Sequence, residues 1–212
     1  MLETYGEDVR VYVVQNPLSF HARAFPASAA AYAALLQGKY DEYANILWEN
    51  MGALEDADLE KYAKDAGLDV EKWKKDKDSE EVTGWLKSNQ AIAAALGASG
   101  TPAFFINGEF LSGAQDFEKF KVIIDKQIEK ANKLVEKKVP AEALHTVLTA
   151  TAVQGKYRRF VIEGKPAPAV QAAEAEAEKE PFSKTVAELA IGDSPRKGHG
   201  DEVVITECSE FQ

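Results

Sequence analysis

Hydrophobic positions along the chain repeat with two periods, one typical of strands and one typical of helices. Residues 9–14 (VRVYVV) form a β-branched and aromatic run that predicts a strand, and an Asn-Pro turn signal closes it. From residue 20 to residue 96 the apolar side chains recur at helical spacing, with glycines at the expected helix ends. The tryptophans expected in the core of this helical stretch are Trp48, Trp73 and Trp85.

The second half of the chain begins with an extended pattern. Residues 103–106 (AFFI) and 109–111 predict two short strands, because an Asn-Gly dipeptide between them is the strongest two-residue hairpin signal. Residues 116–134 then predict a long amphipathic helix with an apolar inner stripe. A strand pattern returns only at residues 203–206 (VVIT), near the end of the sequence. These elements together predict an α/β protein.

The segment between these two parts has a different composition. Residues 140–153 are compatible with one more amphipathic helix, whereas residues 165–180 (KPAPAVQAAEAEAEKE) contain almost no large apolar side chains. Such a sequence cannot offset its ordering entropy by burial. We therefore expect a linker or a solvated helix there.

Charge and cysteine content exclude several classes of function. The 212 residues include 35 acidic and 25 basic side chains, a formal charge of −10, so neither nucleic-acid binding nor electrostatic attachment to a membrane is expected. No stretch is apolar over the roughly 18–20 residues of a membrane span. The single cysteine, Cys208, cannot form an intrachain disulfide or a Cys-x-x-Cys pair. No metal or other cofactor is expected. His21 is interpreted as an ordinary residue at a helix start, with a residue that lines the active-site side as the alternative.

Two segments resemble a known family. GTPAFFINGEFLSGAQ (residues 100–115) looks like the cis-proline loop and terminal hairpin of DsbA-like thioredoxin-fold proteins, and VRVYVVQNPLSFHARA (residues 9–24) is similar to the strand after their active-site helix. The helical stretch between them is the feature that separates DsbA-like proteins from plain thioredoxins. The resemblance covers residues 2 to about 138. It implies a thioredoxin-like fold with a large all-helical insertion and a cis Thr101–Pro102 peptide bond.

The C-terminal residues extend the resemblance in an unexpected order. Residues 192–212 (GDSPRKGHGDEVVITECSEFQ) look like the approach to the first core strand of that fold, which in the family runs directly into a Cys-x-x-Cys motif. The sequence therefore looks like one unit divided inside its active site, either a piece of a tandem array or a permuted unit. We expect residues 203–207 to fill the central position of the sheet, within one chain or as a strand swapped in a homodimer. The expected segments are a DsbA-like domain at 1–138 with its insert at about 20–97, a helix and linker at 139–200, and the core strand at 201–212.

The resemblance also implies roles for single residues. Glu207 matches the buried acid that moves protons beneath the active-site thiols, and strand alternation places it on the face of Val203 and Ile205. Cys208 matches a position usually filled by an apolar residue, so it is expected to be a small buried hydrophobe. The residues implied in binding an extended peptide are Gly100, Thr101, Pro102, Phe211 and Gln212.

By this resemblance the chain is a thiol–disulfide oxidoreductase or protein-disulfide isomerase type of domain. Its partners would be extended or unfolded polypeptides in the periplasm or another extracytoplasmic compartment. Because both motif cysteines are absent from the 212 residues, we expect this chain alone to be inactive in dithiol exchange. The alternative is a non-enzymatic module that binds peptides like a chaperone, or a structural thioredoxin-fold unit.

Overall fold

The computed structural model of the protein describes residues 1–152, 196–197 and 203–211. Within these ranges the helices are α1 (Leu2–Tyr5), α2 (Ala24–Leu35), α3 (Tyr40–Glu49), α4 (Asp56–Asp65), α5 (Val70–Lys77), α6 (Glu80–Leu96), α7 (Phe117–Glu136) and α8 (Ala141–Ala152). The strands there are β1 (Val9–Gln15), β2 (Ala103–Ile106), β3 (Glu109–Ser112), β4 (Arg196–Lys197) and β5 (Val203–Ser209). The chain therefore has the α/β character that its pattern predicts. The predicted linker at 165–180 lies outside the described residues.

The described strands form one sheet in the order β3-β2-β5-β1-β4. β2 pairs antiparallel with β3 on one side and with β5 on the other, so β5 lies in the central position expected for residues 203–207. Asn107, in the turn between β2 and β3, helps to set this pairing. Its backbone N–H donates to the Val204 carbonyl oxygen at 2.8 Å, and its Oδ1 accepts from the Val204 N–H at 2.8 Å. Whether β5 reflects a permuted or a swapped unit stays a prediction.

One compact unit of the chain consists of Met1–Val14 and Ile92–Cys208 and contains the core of the sheet. Successive side chains of a strand point to opposite faces, and each face of β5 is covered by apolar residues. Val203 and Ile205 pack in the cluster that contains Ile124 of α7. Cys208 packs in a different cluster, which contains Phe105. Burial on both faces accounts for the continuous apolar run at the start of β5.

The other compact unit consists of Gln15–Ala91 and Ser209–Gln212 and is mostly helical. Its helix α2 is rich in buried alanine, and these small side chains let neighbouring helices approach closely. Trp73 of α5 is 1% exposed, and its Nε1 donates to the Ala30 carbonyl oxygen at 3.0 Å. Trp48 of α3 was also expected in the core, but it keeps 40% of its surface exposed. The helical insert therefore has its own hydrophobic core, centred on α2, α3, α4 and α5.

Candidate functional site

The Thr101–Pro102 peptide bond, which the resemblance predicts to be cis, is cis in the structure. It directly precedes β2, and the Pro102 carbonyl oxygen accepts from the Gly113 N–H at 2.8 Å, which closes the end of the β2–β3 hairpin. Gly100 is exposed, and Thr101 and Pro102 are half-buried. The loop is therefore held by the hairpin while its surface stays accessible.

Glu207 and Cys208 lie on β5 beside this hairpin. Glu207 is half-buried and sits opposite Phe104 of β2, and Cys208 sits opposite Ala103. Cys208 is fully buried, and this burial, with a smaller contribution from the Glu207 carboxylate, raises the pKa of its thiol to about 12. A thiol with so high a pKa has almost no thiolate near neutral pH, so Cys208 is chemically inert in the folded protein.

We expect the Cys208 thiol to react with an aromatic disulfide reagent only when the chain is unfolded. The native protein at mildly alkaline pH should show almost no reaction, because both solvent access and the thiolate are lacking. The same protein in guanidinium chloride should release close to one thiol equivalent per chain. Rapid stoichiometric reaction of the native protein would contradict the burial of Cys208 in the sheet.

A buried polar network surrounds the end of β1 within the helical unit. Gln15 is 1% exposed; its Oε1 accepts from Ser28 Oγ at 2.9 Å and its Nε2 donates to Tyr40 Oη at 2.9 Å. Its backbone N–H donates to Asn89 Oδ1 at 3.2 Å. Buried polar groups that are satisfied in this way fix the geometry of the segments they join. The network thus positions the turn at Asn16, from which the first loop of the insert starts.

Glu210 is the buried carboxylate at the end of β5, and the sequence reasoning did not single it out. Its side chain is 1% exposed. Oε2 accepts from the Leu18 N–H at 2.6 Å, and Oε1 lies 2.7 Å from His21 Nδ1. Next to these contacts, the Asn16 N–H donates to the Ser209 carbonyl oxygen at 2.8 Å. The loop after β1 and the residues after β5 are therefore joined by a carboxylate, an imidazole and two backbone amides.

Phe211 is fully buried in the core of the helical unit. Its ring centroid lies 4.7 Å from that of Trp48, whose side chain is 40% exposed. Phe211 is therefore a core residue in the described structure, and its role in peptide binding stays a prediction. Gln212, the other C-terminal residue assigned to peptide binding, lies outside the described residues.

Metal ligands and membrane-spanning helices were sought over the described parts of the chain. No group of three or more His, Cys, Asp or Glu side chains that could hold a metal ion occurs among those residues. Within the same ranges, none of the helices combines the length and the apolar character needed to cross a bilayer.

The fold combines three features: a sheet with β5 in the centre, a cis-proline loop before β2, and a helical insert after β1. Together they are the features of a thioredoxin-like α/β protein. The model of the DSBA-like thioredoxin domain matches residues 3–125, which is more than half of the chain. The protein therefore belongs to the DSBA-like thioredoxin domain family, as the two sequence segments indicated.

Several curated relatives share part of the sequence. The chain is 35% identical over 121 residues to the Na(+)/H(+) antiporter NhaA of Herminiimonas arsenicoxydans, which covers 57% of this chain and 19% of that protein. It is 37% identical over 108 residues to the Na(+)/H(+) antiporter NhaA 1 of Mycolicibacterium vanbaalenii, covering 49% of this chain and 17% of that protein. The chain thus spans less than a fifth of the length of these relatives. No solved structure matches it.

Proposed function

We propose that the chain is a thiol–disulfide oxidoreductase-like domain that binds extended polypeptides and is redox-incomplete within its 212 residues. The carrying observation is the position of the cis-proline loop at one end of the sheet. Ala103 lies opposite Cys208, so the loop before β2 and the last residues of β5 share that end. A redox motif that follows β5, as it does in the family, would start beside the loop.

The chemistry of such a domain requires two thiols that the chain does not carry. In dithiol exchange a thiolate attacks a disulfide sulfur, and a second thiol resolves the mixed disulfide. The 212 residues hold one cysteine, and the thiol of Cys208 is buried with a raised pKa. Any electron transfer would therefore depend on cysteines supplied from outside this sequence.

Peptide binding can be carried by the residues that are present. An extended peptide can pair its backbone with a partly exposed loop of this kind, and we assign that role to Gly100, Thr101 and Pro102. We further assign to Glu207 the handling of protons near the reacting thiols. Its half-buried position near the end of β5, the strand that the redox motif would follow, supports this assignment.

The test is to supply the missing motif. We expect the 212-residue chain to stay at background in an insulin-reduction assay. The chain extended after Gln212 by a Cys-x-x-Cys motif should exceed a matched Ser-x-x-Ser extension severalfold, because only the first can form a mixed disulfide and resolve it. Equal rates for the two extensions, with both proteins folded, would refute the oxidoreductase assignment.

A non-enzymatic peptide-binding role is the second candidate, and the single buried cysteine favours it. In this case the chain without extension would suppress the aggregation of an unfolded reporter protein, and the Cys-x-x-Cys extension would add no redox activity. The antiport named for the relatives is not proposed for this chain, since less than a fifth of each relative is matched.

The proposal includes the arrangement of the unit and its location. The domain at 1–138, the linker region at 139–200 and the strand at 201–212 would form one circularly permuted unit, with a strand-swapped homodimer as the alternative at high concentration. Size-exclusion chromatography over a concentration series distinguishes the two forms. An extracytoplasmic location follows from the family, because disulfide exchange requires an oxidising compartment.

A further inference from the structure

The turn between β2 and β3 contains a chemically labile dipeptide. Asn107 and Gly108 form the one Asn-Gly pair of the 212 residues. Glycine has no side chain, so its backbone nitrogen can attack the preceding asparagine carboxamide with little steric hindrance. The other asparagines of the chain precede proline, isoleucine, methionine, glutamine or lysine, which all hinder that attack. In an unfolded chain Asn107 is therefore the asparagine expected to react first.

The folded turn holds the backbone of this dipeptide in a single conformation. Asn107 has a φ of 45° and Gly108 a φ of 84°, the two positive values that a tight two-residue hairpin turn requires. Asn107 is also 1% exposed, although it lies in a turn. Attack on the carboxamide requires Cγ of Asn107 to rotate onto the Gly108 nitrogen. A buried turn with fixed backbone angles leaves little freedom for that rotation.

Strand β5 holds the Asn107 side chain as well. The pairing of β2 with β5 reaches Ile106, which lies opposite Ile205, and Asn107 continues it by one residue. Its N–H donates to the Val204 carbonyl oxygen, and its Oδ1 accepts from the Val204 N–H, both at 2.8 Å. Val204 is 6% exposed, so turning the carboxamide away would strip a buried N–H of this acceptor, which is costly. Asn107 is thus locked while β5 is paired. Asn107, Gly108 and Val204 all belong to the unit that contains the sheet.

We propose that Asn107 is a deamidation site that β5 keeps closed, so that it is converted only in chains in which β5 has left β2. The Gly108 N–H bond and the Cγ–Nδ2 bond of Asn107 break, and a bond forms between the Gly108 nitrogen and Cγ. The displaced nitrogen leaves as ammonia with the released proton. Water then opens the cyclic imide to aspartate or isoaspartate. No oxidation or reduction occurs, and water is the co-reactant.

Conversion weakens the pairing that had prevented it. Isoaspartate adds a methylene group to the backbone of a two-residue turn, where strand register depends on loop length. Aspartate places a carboxylate at a position that is 1% exposed, and burial of a charge is unfavourable. Both products therefore oppose the contacts between residue 107 and Val204. A single opening event that lasts long enough becomes a permanent release of β5.

The site is tested by comparing the folded and the unfolded wild-type chain at the same mildly alkaline pH. Peptide mapping by mass spectrometry follows the conversion of Asn107, with the exposed Asn132 of α7 as the internal reference. In guanidinium chloride we expect Asn107 to react well before Asn132. In native buffer we expect its conversion to be at least tenfold slower than in the denaturant. A smaller difference would overturn the protection, and an Asn107 that reacts no faster than Asn132 when unfolded would overturn the site itself.

A matched pair of valine variants tests whether β5 provides the protection. Val203→Ala removes two methyl groups from a fully buried side chain of β5, and Val122→Ala removes the same groups from a position of α7 that is 68% exposed. We expect the first to speed the conversion of Asn107 in native buffer severalfold and the second to leave it unchanged. Equal rates in the two variants, with both shown by circular dichroism to be folded, would count against β5. If Val203→Ala does not fold, the wild-type comparison decides.

The release of β5 is measured through Cys208, the buried thiol of that strand. One wild-type sample is kept in denaturant with reductant at mildly alkaline pH until Asn107 is converted. Its control is kept there for the same time at mildly acidic pH, where the backbone nitrogen stays protonated and the imide does not form. After return to native buffer, Cys208 should react with an aromatic disulfide reagent in the converted sample only. An unreactive Cys208 in the converted chain would overturn the release of β5.

Discussion

Deletion of residues 203–212 is expected to abolish cooperative folding of the chain. β5 lies between β2 and β1, so its removal leaves both neighbours with unpaired backbone groups in the middle of the sheet. Val203, Ile205 and Phe211 are each fully buried and are lost as well. Each such side chain is worth about 1.5–3 kcal/mol. Their sum reaches the range of about 5–15 kcal/mol that is the whole stability of a typical domain.

Urea unfolding followed by circular dichroism measures this effect, and a pair of valine substitutions provides a control that keeps the chain intact. Val203→Asp places a carboxylate in the core beside Ile205, whereas Val122→Asp places it at a position of α7 that is 68% exposed. We expect the first to remove most of the stability and the second to change it by less than about 0.5 kcal/mol. A truncated chain that unfolds cooperatively at the wild-type urea midpoint would show that β5 is not part of the core.

Replacement of Trp73 by Ala is expected to destabilise the chain by about 3–5 kcal/mol, the usual range for a large buried aromatic. The Trp73 ring is buried in the core of the helical unit, with its centroid 6.1 Å from that of Tyr43. The substitution leaves a cavity there and removes the hydrogen bond from Nε1 to the Ala30 carbonyl oxygen. Equilibrium urea unfolding, with the slope checked for constancy, measures the loss.

Two further variants identify the origin of that loss. Trp73→Phe keeps most of the packing and removes the N–H donor, so a smaller decrease in stability is expected than for Ala. Trp48→Ala removes the same residue type from a position that is 40% exposed and should cost less than half as much as Trp73→Ala. Similar losses at the two tryptophans would contradict the difference in burial between α5 and α3.

The elements with strong local signals were predictable from the sequence. Strand β2 was predicted at residues 103–106 and is observed as Ala103–Ile106. The helix predicted at 116–134 is observed as Phe117–Glu136. A hairpin turn and a long amphipathic period depend on neighbouring residues only, so they are readable in one sequence. The central position of β5 was also predictable, since without it the sheet would have had a gap.

The tryptophans show where local pattern stops being informative. Trp48 and Trp73 both lie on apolar faces of predicted helices, and both were expected in the core. Trp73 is buried because the alanine-rich α2 leaves room for it, whereas Trp48 lies over Phe211 at the surface of its unit. The difference depends on which other helix packs on each face, and helical spacing carries no information on that.

The sequence by itself indicated the family, through two segments that resemble it, and this resemblance in turn implied the cis bond before β2. The lack of a second cysteine is a count of the 212 residues. Only the tertiary structure decided that Glu210 is the buried acid joined to His21. Alternation drew attention to Glu207, which is half-buried. Glu210 is buried and hydrogen-bonded because the fold brings Leu18 and His21 to it, from positions 192 and 189 residues earlier in the chain. A contact between residues so far apart depends on the whole sheet and its insert, and no local pattern encodes it.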